Sequence, residues 1–148
     1  MTKKSINTNN IFKVFHEGVK TYNSVFDDFE ESPYIKIKIF TKLIQNNKNF
    51  QQNVRKYMDK YKIEYNDTEL TNSAYTINFN RAFDYISQIN PQNEIDRDAL
   101  ESCYDLILLK CVNETLKFFE DREEYEKCAI ILPIKDYLKS LAPPKSFL

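Results

Sequence analysis

The sequence contains no tryptophan, one glycine and one histidine, and each shortage removes a class of chemistry. A lone Gly18 leaves no Gly-rich loop to cradle phosphate, no collagen repeat and no flexible glycine linker. A lone His16 excludes most triad and histidine–metal sites and reads as a structural or surface residue. The cysteines, Cys103, Cys111 and Cys128, are odd in number and lack CxxC spacing. They are expected to be reduced core residues, which places the chain in a reducing, cytosol-like compartment. No apolar run approaches the roughly 18–20 residues that span a bilayer, so no membrane partner is expected. Lys3 and Lys4 have no apolar stretch behind them, unlike a secretory signal.

Catalytic signatures are also missing. There is no G-x-S-x-G, no Walker loop and no H-E-x-x-H. Glu123, Glu124 and Glu126 form an acid run at a helix start, which the macrodipole already explains. Asp96-Arg97-Asp98 reads as helix capping, because the Gly and terminal Glu of a calcium loop are missing. The expectation is a protein that is not an enzyme, with no cofactor, metal site or small-molecule substrate.

What is present is bulk and helical period. Eleven Phe and ten Tyr in 148 residues supply large core side chains. Phe12, Phe15, Val19, Tyr22, Phe26 and Phe29 step by three and four, predicting a helix over about 10–31. Ser32-Pro33 ends it and starts the next. Over 34–40, Ile35, Ile37 and Ile39 alternate with lysines, the period of a half-buried strand. Ile35, Ile39 and Leu43, with Phe40 and Ile44 beside them, also make a helical face, so the spacing predicts helix over 33–46. The alternative is a two-stranded ribbon with Tyr75, Ile77 and Phe79.

Phe50, Val54, Tyr57, Met58 and Tyr61 predict a third helix over about 49–62, followed by a polar connector through Asn66 and Ser73. A fourth carries Phe79, Ala82, Phe83, Ile86 and Ile89 and stops at Asn90-Pro91. Leu100, Cys103, Tyr104, Ile107, Leu108, Cys111, Thr115 and Phe118 predict a fifth over about 97–120. An acidic elbow leads into a sixth over about 123–141, which Ala142-Pro143-Pro144 ends. The reading is an all-α fold: a single domain over 1–148, a compact bundle of about six helices ending in a helical hairpin.

Charge is near balance overall, at −1, but segregated along the chain. Lys36, Lys38, Lys42, Lys48, Arg55, Lys56, Lys60 and Lys62 face Asp59 alone within 33–63. Eleven acids face four bases within 94–126. The lysine-rich stretch is a candidate face for nucleic-acid phosphate or for an acidic protein partner. Lysine is a point charge, so nucleic-acid binding there would be salt-dependent and weakly sequence-specific.

Glu124-Tyr125-Glu126-Lys127-Cys128-Ala129, running on to Leu138, resembles the second half of a UVR motif. That family's pattern runs aromatic-Glu-Lys-Ala-Ala-x-Leu-Arg-Asp-x-Ile-x-x-Leu. Tyr125, Glu126, Lys127 and Ala129 match, Cys128 replaces a small residue, and Ile131 and Leu138 fit apolar positions. Leu132 and Pro133 stand where Arg-Asp is usual, and Lys135 where Ile is usual. The resemblance implies a hairpin for protein–protein contact, turning at the elbow, with Glu123, Glu124, Tyr125, Glu126 and Lys127 as its contact residues. It also implies Tyr125, Ala129 and Leu138 packing on the preceding helix, and Pro133 is expected to kink its own helix.

Abundant Asn, Lys, Ile, Tyr and Phe beside four Arg is the residue usage of an AT-rich genome. The style is similar to that of small proteins of low-GC bacteria and their phages. The expected function is therefore a non-catalytic interaction protein of a phage or mobile element. It would be a virion component, an adaptor or an inhibitor, in the bacterial cytoplasm or a virion, binding another protein or itself. The alternative is a nucleic-acid-binding accessory protein using 36–62.

Overall fold

The computed structural model describes residues 32–142. The helix expected over 10–31, with its aromatic stripe and His16, lies outside them, as does the tail from 143. Six helices follow in order: α1 Pro33–Gln45, α2 Asn47–Lys60, α3 Asp67–Ile86, α4 Glu94–Cys103, α5 Leu106–Asp121 and α6 Tyr125–Leu141. Among the described residues there is no strand, so the 34–40 and 75–79 segments are helix and not ribbon. The architecture is an all-α bundle that ends in the α5–α6 hairpin.

Helix α1 lies at the centre, packed on α3 and α4 and touching α2 and α5. Its Ile37 and Phe40 are completely buried, and Ile44 nearly so. The core-facing stripe is thus Ile37–Phe40–Ile44, while Ile35, Ile39 and Leu43 are only half-buried. Both stripes obey helical spacing, and the sequence pattern does not say which one meets the other helices. Around α1 the core gathers Ala82 and Ile86 of α3, Leu100 of α4, Val112 and Phe119 of α5, and Ile131, Ile134 and Leu138 of α6. Asn78 of α3 ties this layer to α2, donating to the Leu43 carbonyl (2.6 Å) and to Asn47 Oδ1 (3.1 Å).

Two boundaries differ from the sequence reading. Helix α3 begins at Asp67, inside the expected connector, because Asn66 Oδ1 accepts the Glu69 N–H as an N-cap. The helix expected over 97–120 is two helices. Tyr104 turns extended, and Asp105 at φ −157°, ψ 175° caps a new start by accepting the Leu108 N–H at 2.6 Å. The break swings Ile107 out of the core stripe, leaving it 47% exposed. The cap of α4 is Asn93, whose side chain accepts from Ile95 and Asp96 N–H, so Asp96–Asp98 lie inside the helix.

Helices α2 and α5 end alike. Ile63 N–H returns to the Met58 carbonyl and Lys62 N–H to that of Asp59; Glu124 N–H returns to Phe119 and Glu123 N–H to Glu120. These are paired Schellman closures, each needing a left-handed residue. In this glycine-poor chain Lys62 (φ 55°) and Glu123 (φ 58°) serve instead.

Candidate functional site

Helices α1, α2 and α3 enclose a shallow groove of about 650 Å³. Ile35, Ile39 and Leu43 line it from one face of α1, with Phe50 from α2. Among the described residues, Lys38 and Lys42 of α1 and Arg81 of α3 are its charged lining, and no carboxylate joins them. Asn46, Asn49, Asn53 and Asn78 add amides. The aliphatic residues stand at i, i+4 and i+8 on one helix, and the cations beside them are exposed. Arg81 and the three aliphatic residues were not in the expected contact set. The signal for the latter was the surplus second stripe on α1, too wide for one buried face.

Of the eight expected cations, two are among the groove's described lining. Lys38 and Lys42 belong to the groove, but Lys48 lines a separate cleft of about 850 Å³ with Tyr75, Phe79, Phe118, Glu114 and Asp121. Arg55 is engaged internally, with Nε 3.0 Å from Asp67 Oδ1 and a 2.7 Å hydrogen bond from Nη2 to Thr71 Oγ1. Lys60 sits 5.5 Å from the Tyr61 ring, which lies 4.7 Å from Tyr57. Lys56 and Lys62 are exposed and Lys36 is half-buried.

The hairpin residues also separate. Lys127 points inward: its Nζ donates to Asn80 Oδ1 at 2.6 Å and lies 3.4 Å from Glu124 Oε1. The same ammonium sits 4.8 Å from the Phe119 ring and 5.4 Å from that of Phe83. Leu138 is buried as the hairpin implied, but Tyr125 is 65% exposed and Ala129 also faces outward. Here the core contacts come from Ile131, Ile134 and Leu138, about half a turn round from Tyr125. Tyr125, Ala129, Leu132 and Pro133 therefore form an apolar outer strip, with Ile130 at its edge. Helix α6 runs unbroken through Pro133.

The thiols are protonated at neutral pH. Burial, then Glu114, pushes Cys111 up to about 11, and burial raises Cys103 and Cys128. Tyr137 is raised chiefly by its hydrogen bond to Glu101, which links α6 to α4. Among the described residues, no three His, Cys, Asp or Glu side chains gather where a metal could sit. No helix among them is long and apolar enough to cross a membrane. Set against family models, curated proteins and solved structures, the chain has no significant match.

Proposed function

We propose that the protein works by binding another protein chain without chemistry, with the α1–α3 groove as the receiving surface. One observation carries this: the groove joins an aliphatic ridge to three cations, with no carboxylate among its described lining residues. Ile35, Ile39 and Leu43 offer a helix or extended segment apolar area to bury, while Lys38, Lys42 and Arg81 select for negative charge. Bases stack on π faces, and of the described lining Phe50 is the one ring beside three aliphatic residues, so the surface suits side chains better than bases. Lys48 in a separate cleft and Arg55 paired with Asp67 and Thr71 favour the same choice over a nucleic-acid face. The residue usage fits a phage, mobile element or low-GC bacterium, with the protein as virion component, adaptor or inhibitor, and the UVR-like hairpin as a second contact element.

A photo-reactive residue at position 39 tests the reading in an extract of the cell the protein comes from. Crosslinks to protein are expected there, with none from a label at the exposed Thr68. Labelled duplex and single-stranded DNA, titrated at about 50 and about 200 mM salt, should give no polarisation change. Micromolar binding that collapses at the higher salt would move the function to nucleic acid.

A further inference from the structure

Helix α6 is apolar on two sides. Ile131, Ile134 and Leu138 fill the core, yet Tyr125, Ala129, Leu132 and Pro133 lie on the outer surface, with Leu132 46% and Ile130 45% exposed. A helix with apolar residues on opposite faces is ordinarily covered on both. The outer strip repeats at i, i+4 and i+8 (Tyr125, Ala129, Pro133), as does the groove ridge (Ile35, Ile39, Leu43). At 1.5 Å per residue each runs about 12 Å. Carboxylates accompany the strip: Glu126 and Asp136 on the helix and Glu123 just before it, with the half-buried Lys135 and the exposed Lys139 on the same helix. Cations accompany the ridge: Lys38, Lys42 and Arg81.

We propose that the outer face of α6 in one copy of this chain seats in the α1–α3 groove of a second copy. The inference rests on the groove being a protein-binding surface and names its occupant. Apolar strip meets apolar ridge over matched length, and Glu123, Glu126 and Asp136 oppose Lys38, Lys42 and Arg81. Donor and acceptor surfaces are different parts of one chain. Reciprocal exchange closes a pair, and one-way repetition closes a ring or runs on as a filament.

The test is light scattering on the eluting full-length protein across a concentration series. At about 50 mM salt the mass should rise above 17.7 kDa with concentration, and at about 500 mM it should fall back as the charges are screened. Two variants divide the contact. K42E/R81E spoils the groove and A129E/L132E spoils the strip, each with a dissociation constant raised at least about tenfold. Mixed together, they should form a heterodimer, because one variant keeps an intact strip and the other an intact groove. That recovery also shows that both are folded. A wild type that stays at monomer mass throughout overturns the proposal, as does a mixture that fails to associate or variants that assemble like wild type. Any of these leaves the broader reading to the position-39 crosslinks, which would then join a different protein.

Discussion

Cys111 sits on the core side of α5, where burial and the nearby Glu114 and Asp105 hold its proton, and only Lys110 opposes them. Below its ordinary value of 9.0 the thiol is neutral in folded and unfolded chains alike. Above it the unfolded thiol ionises while the folded one does not until about pH 11, so stability drains away across that window as pH rises. Urea midpoints should hold steady up to about pH 8.5 and fall beyond it. C111V should flatten part of that slope, Cys103 and Cys128 titrating in the same direction. A slope unchanged in C111V would show that this thiol does not contribute. At pH 8 Cys111 is held as the thiol, so alkylation of the native protein should be slow and denaturant should release it.

At the scale of elements, the two closures at Lys62 and Glu123 hold residues with a Cβ in a region that suits glycine. K62G and E123G should each raise stability by about 0.5–1 kcal/mol, read as a higher urea midpoint. A loss in either would mean that the side chain gives more than its backbone costs. The sequence announced most of these elements, because three- and four-step apolar spacing survives wherever one face is buried. It hid the α4–α5 break, since Leu100, Cys103, Tyr104, Ile107 and Leu108 keep an unbroken helical period across it. Only Asp105, a good cap residue, marked the spot. The first two turns of α3 were hidden for another reason: they are mostly polar and exposed, with Leu70 their one large apolar residue, although Asn66 and Glu69 spell a cap. The groove was half legible. Its lysines stood out by charge, but its aliphatic ridge passed for core, because periodicity cannot tell two adjacent stripes apart.

Across the whole molecule, order is unevenly distributed. Helix α1 is enclosed by α3, α4 and α5, whereas the buried residues of α2 are the polar Asn47 and Gln51. Opening free energies should follow this, with amides of 37–44 exchanging only through global unfolding and those of 50–58 much sooner. Equal protection in the two helices would show that α2 is fastened more tightly than its burial indicates.

The inward-turned Lys127 carries a practical corollary. Its amine, though on a half-buried side chain, is held by Asn80, Glu124 and two phenylalanine rings, and it must let go of them before an acylating reagent can bond to it. Mass spectrometry should find it among the slowest lysines to be modified, far behind the solvent-facing Lys110. Its modification rate then times how often this one ammonium lets go of its partners.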